Sequence, residues 1–291
     1  MFVDDRPGYS LSCAAELRFD GVIQRELLDA AFQQAIRRHK LLRAVVVKQG
    51  DRLTWAPSPR EPVVWWNQEN AHQEFMRMRN FDLTREPGVR TWANVEGDKS
   101  ILRFDFHHAC CDAAGGMGSI EDLFTLYDAL HNKQSPNLRP LDDARLLVRN
   151  DISIGTPSWL ARFHRTYVDP VKSFRLLFTK PLPIPATGTA GRPWADRFIR
   201  RHVAEADLVA LRHAASDVSV TLNDLMLVEF MCALRDWTQR DRQPTSLRDH
   251  IRIIAPMNLR DREDFALSAA NKTGFGFVSR SLADLRTARG D

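Results

Sequence analysis

The 291-residue chain has few cysteines and no long apolar run, and each absence argues against a class of protein. Its four cysteines show no disulfide-framework spacing, which argues against a small disulfide-stabilised scaffold and favours a reducing compartment. No apolar stretch approaches the roughly 20 residues that a membrane-spanning helix needs. The first residues, MFVDDRP, lack the basic-then-apolar order of a secretion signal. We therefore expect a cytoplasmic protein without a transmembrane segment.

Positive charge is concentrated between Arg145 and Arg201. This segment holds eleven Lys and Arg against three Asp, whereas the whole chain has a net charge of +4. Such a segment could attract an anionic partner, for example a phosphate-bearing acyl carrier, but a solvated helix face is the explanation that we favour. Its prolines and sparse aromatic residues match no nucleic-acid recognition module, so we expect no nucleic acid partner.

Hydrophobic periodicity predicts an α/β protein with two lobes. A proline-rich linker at 179–194 separates an N-terminal lobe, 1–178, from a C-terminal part, 195–291. The predicted helices are 24–38, 70–78, 119–130, 205–216 and 222–237, of which the last is more buried than the one before it. The predicted strands are 11–19, 42–47, 52–56, 89–95, 100–108, 197–203, 251–256 and 274–279.

The most informative stretch is FDFHHACCDA, residues 104–113. Alternation places His108 on the apolar face of a strand and His107 on the opposite face. Asp112 follows four residues after the second histidine. A neutral imidazole with a pKa near 6.5 suits a general base at cytoplasmic pH, and an apolar face favours that neutral form. Ser119, after a glycine-rich turn, is predicted to cap the next helix.

Metal binding and cysteine chemistry are the main alternatives for the same stretch. Zinc ligands usually come in pairs separated by two to four residues, with a second pair downstream. Here the adjacent histidines diverge on a strand and no second Cys/His cluster follows, so we predict no metal site. Cys110 and Cys111 have no evident basic partner other than the strand-fixed histidines, which predicts packing residues rather than nucleophiles.

HHACCDA, residues 107–113, resembles the HHxxxDG signature of the chloramphenicol-acetyltransferase-like superfamily, which includes condensation domains and wax ester synthases. The resemblance implies an α/β fold of two such lobes, with an active site in a tunnel between them. Family members have a fuller second lobe, so we expect the second lobe of this chain to be incomplete. Further segments similar to the superfamily are RHKLLR at 38–43, FDLTREP at 81–87, LND at 222–224, PMNLR at 256–260 and AN at 270–271.

The resemblance also implies a reaction, in which an acyl group passes from a CoA or carrier-protein thioester to an alcohol or amine. His108 would be the general base, and Asp112 a carboxylate that fixes the turn through an ion pair with Arg43 or Arg260. No metal or tightly held cofactor is implied; acyl-CoA or a phosphopantetheine-bound acyl group is the co-substrate. His107 is expected to support the strand.

Three further positions carry open expectations. Asn223 and Asp224 would either cap their helix or, as the resemblance implies, line the acceptor channel. Ala113 stands where the superfamily usually has glycine, and alanine would be strained by about 1 kcal/mol if that position needs a positive φ. Ala113 and the short second lobe favour a competing hypothesis, a non-catalytic truncated module that binds a carrier protein or another partner, whereas the intact His108 and Asp112 oppose it.

Overall fold

The computed structural model of the chain describes residues 11–67, 81–147, 181–182, 201–240 and 249–287. It divides into two compact units. The first unit comprises Met1–Ile152 together with Asn258–Thr273, and the second comprises Ser153–Met257 together with Gly274–Asp291. The predicted helix at 70–78, most of the predicted linker at 179–194 and most of the basic segment lie outside the described residues. The lobe boundaries therefore stay a prediction.

In its described ranges, the first unit contains a four-stranded sheet, a hairpin and two long helices. The sheet has the order β1-β6-β5-β4, in which only β4 and β5 run parallel, and β2 pairs with β3 in the separate hairpin. Its elements are β1 (Ser12–Asp20), α1 (Arg25–Arg38), a 3-10 turn (Lys40–Arg43), β2 (Ala44–Gln49), β3 (Arg52–Pro57), β4 (Val64–Trp66), β5 (Val89–Glu96), β6 (Lys99–His107), α2 (Ala113–His131) and the short α3 (Ala144–Leu147).

Helix α1 follows the predicted apolar stripe. Leu28, Ala31, Phe32, Ala35 and Ile36 recur at helical spacing and are all buried, and the helix packs against α2. These side chains join a core with the inner residues of the sheet. Burial of one such leucine or phenylalanine stabilises a fold by roughly 1.5–3 kcal/mol, so this stripe fixes α1 to the unit.

Strand β6 is buried on both faces, which the alternation did not predict. Phe104 and Phe106 are buried as expected, but Arg103, Asp105 and His107 on the other face are buried as well. The Arg103 guanidinium donates to Glu16 on β1 at 2.9 Å, so part of this polar face is satisfied within the sheet. A buried charge is tolerated because it is paired.

Helix α2 begins at Ala113, six residues before the predicted start. Asp112 is the residue that caps it, because its side chain accepts a hydrogen bond from the Gly115 amide at 2.9 Å. The prediction that Ser119 caps the helix was wrong. Ser119 is buried within α2, and its hydroxyl donates to the Gly116 carbonyl.

Within its described residues, the second unit has a small core of its own that is formed by six buried side chains. Residues 201–203 form no strand, contrary to the strand predicted at 197–203. The helix that starts at Leu222 is mostly exposed as far as Phe230, but its second half carries buried residues. It is therefore more buried than the helix before it, as predicted. The elements are α4 (Glu205–Asp217), α5 (Leu222–Arg240), β7 (His250–Asn258), β8 (Thr273–Ser281) and α6 (Leu282–Thr287). The buried core residues are Met231, Cys232, Ile251, Ile253, Leu282 and Leu285.

No helix within the described ranges is both long enough and apolar enough to span a bilayer.

Candidate active site

His108 lies in the turn that follows β6, just past the last strand residue. Its backbone is held on two sides. The His108 amide donates to the Leu11 carbonyl at 2.8 Å, and the Asn271 side chain donates to the His108 carbonyl at 2.7 Å. The backbone of His108, which carries the imidazole, is thus held by Leu11, just before β1, and by Asn271, which lies 163 positions later in the chain.

The imidazole of His108 is half-buried and electrically neutral at neutral pH. Burial lowers its pKa below 6.5, and the charge of Asp112 only partly opposes that effect. Its Nδ1 atom is buried and finds no hydrogen-bond partner among the described residues. His108 as a whole residue is only partly buried. These are the properties of a group that can accept a proton.

Asp112 is the most heavily bonded carboxylate of the site. Oδ1 accepts from the Gly115 amide, and Oδ2 accepts from Arg260 at 2.5 Å and from the Lys272 amide at 2.9 Å. The Thr273 hydroxyl donates to Oδ2 at 3.2 Å. Burial raises the pKa of Asp112, but these donors outweigh burial and hold the pKa below its usual value. The carboxylate is therefore charged, and its hydrogen bonds hold the start of α2 against residues 260–273.

The sequence left two arginines as possible ion-pair partners of Asp112, and the structure shows which of them makes the pair. Arg260 makes the ion pair and also donates to the Ala270 carbonyl at 2.8 Å. Arg43 pairs instead with Glu61 beside the hairpin. Arg260 can reach Asp112 because residues 258–273 pack within the first unit. Sequence reasoning missed the roles of Asn271, Lys272 and Thr273, although the Ala270-Asn271 pair was one of the similar segments.

His107 is fully buried. Its Nδ1 accepts from the Ala109 amide at 2.9 Å, and its carbonyl accepts from the Cys110 and Cys111 amides. The ring meets the edge of Phe81. These contacts agree with a residue that supports the end of the strand and the turn that carries His108.

The alanine at position 113 causes no backbone strain. It is the first residue of α2, and the non-glycine residues with positive φ in the described part of the chain are Asn67, Lys133 and Ser219. The position needs helical dihedrals because Asp112 caps a helix there. The expected penalty of about 1 kcal/mol does not arise.

A second buried polar cluster connects the end of α1, helix α2 and the segment 258–273, which belongs to the first unit. Arg38 donates to Asp122 at 2.8 Å, and His39 Nε2 lies 3.2 Å from the same carboxylate oxygen. His39 Nδ1 accepts from the Ala269 amide at 3.0 Å, so its proton sits on Nε2, facing Asp122. Burial is the main reason that the pKa of His39 is lowered. The Arg-His pair that begins the similar segment 38–43 therefore has a structural role.

Asn223 lies exposed at the second position of α5. The helix is capped by its neighbours instead. Thr221 and Asp224 form a reciprocal pair, in which the Asp224 amide donates to the Thr221 hydroxyl and the Thr221 amide donates to the Asp224 carboxylate. The expectation that Asn223 caps the helix was wrong, and a role in an acceptor channel stays a prediction.

A groove of about 810 Å³ runs between the start of α2 and residues 260–267. Arg260 forms part of its wall, whereas His108 does not. Among the described residues, no three His, Cys, Asp or Glu side chains gather in a way that could hold a metal ion.

Comparison with known proteins identifies the family. The family model of the condensation domain matches residues 5–254. The chain belongs to the condensation-domain family. A curated relative, surfactin synthase subunit 1 of Bacillus subtilis (strain 168), is 30% identical over 150 residues, which cover 47% of this chain and 4% of that protein.

Solved structures of condensation-type domains show the same fold. The first condensation domain of the calcium-dependent antibiotic synthetase, in complex with a substrate analogue, aligns with a TM-score of 0.68 at 15% identity, covering 94% of this chain and 65% of that one. The X-domain in complex with OxyB from teicoplanin biosynthesis aligns with a TM-score of 0.65 at 15% identity, covering 97% and 63%. The predicted α/β fold is confirmed. This condensation-domain chain spans slightly less than two thirds of those solved chains, as expected for an incomplete second lobe.

Proposed function

We propose that the chain transfers an acyl group from a thioester to an amine or alcohol, with His108 as the general base. The observation that carries this proposal is the state of the His108 ring. The ring is neutral, and its buried Nδ1 atom has no partner among the described residues. The residue as a whole is only partly buried, and its backbone is fixed on two sides. A base of this kind typically accelerates a reaction about 100- to 10,000-fold.

The proposed step is an aminolysis or alcoholysis. The imidazole of His108 takes a proton from the acceptor as its nitrogen or oxygen attacks the carbonyl carbon of the thioester. The carbon–sulfur bond then breaks, and the departing thiolate receives the proton from the imidazolium. Acyl donor and acceptor are consumed in equal amounts, and the histidine returns to its neutral form. No metal or tightly bound cofactor takes part.

Asp112 acts as a positioning residue in this proposal. Its two oxygens already accept from Gly115, Arg260, Lys272 and Thr273, so a proton relay through Asp112 is not required. Its negative charge raises the pKa of His108, which stabilises the imidazolium formed during the reaction.

The donor proposed for the chain is an acyl group carried on CoA or on the phosphopantetheine arm of a carrier protein. The similarity to surfactin synthase subunit 1 and to a condensation domain of an antibiotic synthetase supports this class of donor. The cytoplasmic location expected from the sequence suits such donors and stays a prediction.

A non-catalytic binding module is the second candidate. The X-domain, which has the same fold, was solved in complex with OxyB. Ala113 no longer supports this candidate, because α2 accommodates it without positive φ.

Turnover assays separate the two candidates. Short- and long-chain acyl-CoA and acyl-carrier donors are offered with amine and alcohol acceptors to the wild type, to His108→Ala and to His213→Ala. His213 is exposed on α4 and serves as the matched histidine control. We expect His108→Ala to lose at least about 100-fold in rate with an unchanged circular dichroism spectrum, and the control to keep full activity. A folded wild type that turns over no donor supports the binding module instead.

A further inference from the structure

The backbone of His108 is bonded to a strand neighbour on one side and to a side chain on the other. Strand β6 ends at His107, so His108 lies just beyond the ladder of the sheet. Its amide still donates to the Leu11 carbonyl at 2.8 Å. Its carbonyl accepts at 2.7 Å from Nδ2 of Asn271, which is thus the donor that a neighbouring strand would supply within a sheet.

The side-chain amide of Asn271 is held in one orientation. Its Oδ1 atom accepts from the Thr273 amide at 3.0 Å, and the residue is partly buried. An asparagine amide has its acceptor and its donors on opposite sides. Because the oxygen is bound within its own loop, Nδ2 is the atom directed at the His108 carbonyl.

The residues on either side of Asn271 hold Asp112. The Ala270 carbonyl accepts from the Asp112 amide at 3.3 Å, and the Lys272 amide donates to Oδ2 of the Asp112 carboxylate at 2.9 Å. Asn271 stands between these two contacts in the chain. It therefore reaches His108 from a segment that is fixed relative to Asp112.

We propose that Asn271 is a positioning residue that aims the His108 imidazole in the acyl transfer, an inference that rests on the function proposed above. Its hydrogen bond fixes the peptide plane of His108, and that plane limits the direction in which the ring projects. Without this bond the turn can rotate about the remaining anchor at Leu11. A displacement of a reacting group by about 1 Å can cost roughly 100-fold in rate. Because Asn271 acts through the base, its effect belongs to the chemical step and hence to kcat.

Two substitutions separate the hydrogen bond of Asn271 from its shape. Asn271→Ala removes both Nδ2 and Oδ1. Asn271→Asp keeps nearly the same shape and an oxygen for the Thr273 amide, but a carboxylate cannot donate to the His108 carbonyl. Asn132→Ala is the matched control, because Asn132 is exposed at the other end of α2 and its side chain bonds only within that end, to Asp128.

Steady-state kinetics test the role in catalysis. We expect both Asn271 variants to lose about 10- to 100-fold in kcat with KM within about twofold of the wild type, and the control to keep full activity. In a His108→Ala background, Asn271→Ala should change the remaining rate by less than about twofold, since the base that it positions is gone. If the two losses multiply, or if Asn271→Ala keeps kcat within about twofold, the proposal is overturned.

A titration of His108 by NMR tests the role without turnover. The resonance of its ring is assigned in histidine-labelled protein by comparison with His108→Ala. Burial lowers the pKa of His108 in the wild type, so a ring released from its position should meet water and titrate closer to 6.5 in Asn271→Ala. The added negative charge of Asn271→Asp should raise the pKa further.

An asparagine with a merely structural role would give a different result. Asn271→Ala would then unfold at a lower urea concentration and leave both kcat and the His108 titration unchanged, which would overturn the proposal. If the wild type turns over no donor, the proposed function fails, whereas the titration still decides whether Asn271 positions the ring.

Discussion

Replacement of Arg260 by alanine removes the cation that pairs with Asp112, and its effect can be worked out from the contacts. Loss of one member of a buried ion pair typically costs about 3–5 kcal/mol. Asp112 keeps the Gly115 and Lys272 amides as donors, which lessens the penalty, but the bond from Arg260 to the Ala270 carbonyl is lost as well. We expect a cost of about 3 kcal/mol, localised where residues 258–273 meet the start of α2.

Hydrogen exchange measured by mass spectrometry reports this loss locally. A cost of about 3 kcal/mol corresponds to roughly 100-fold faster exchange of the Asp112 and Lys272 amides, which bond to the Ala270 carbonyl and to the Asp112 carboxylate. Arg262→Ala is the matched control, because Arg262 is an exposed arginine in the same segment. If the exchange rates of the Asp112 and Lys272 amides in Arg260→Ala stay within about threefold of those in the control, the reasoning is refuted.

The Asp112–Arg260 ion pair also predicts how the stability of the protein depends on pH. Because the folded state lowers the pKa of Asp112, this group contributes stability above its unfolded pKa, near 3.9, and that contribution is lost as the pH falls through the lower folded value. Without Arg260 the folded pKa rises. We therefore expect acid unfolding of Arg260→Ala to begin at a higher pH than that of the wild type. If Arg260→Ala and the wild type unfold at the same acid pH, Arg260 does not lower the pKa of Asp112 and the reasoning is wrong.

Three further predictions concern single residues. Gly115→Ala should destabilise the protein, because its β-carbon would lie 2.9 Å from the Ala270 carbonyl, whereas Gly116→Ala, with its nearest contact at 3.4 Å, should be neutral or stabilising in urea unfolding. Stability should fall as the pH drops below about 6.5, since burial lowers the pKa of His39, and His39→Gln should weaken that dependence in thermal melts. The acid limb of kcat/KM should have its midpoint below pH 6.5, because burial lowers the pKa of His108; a midpoint above 6.5 would contradict a buried base.

Local pattern predicted the elements that carry the site, and it failed where contacts between distant residues decide the structure. The glycine-rich stretch after Asp112 was interpreted as a turn, since each glycine costs a helix about 1 kcal/mol. In the structure that stretch is helical. Gly115 lies against the Ala270 backbone and Gly118 against Arg139, so these glycines permit close packing rather than a turn.

The partners of Asp112 could not be assigned from the sequence, for a related reason. Arg260, Lys272 and Thr273 lie 148, 160 and 161 residues away from it. No periodicity records such a contact, and the resemblance supplied two arginines without deciding between them. Polar burial on β6 was missed similarly, because the ion pair of Arg103 with Glu16 depends on strand register and not on alternation.

The return of residues 258–273 to the first unit has a consequence for how the protein is made. During synthesis Asp112 leaves the ribosome long before Arg260, so the N-terminal unit cannot complete its fold while the intervening residues are being added. Its early intermediates expose an unpaired carboxylate and an uncovered helix start. A fragment cut at residue 152 would lack this closing segment, and expression boundaries should therefore extend beyond Thr273.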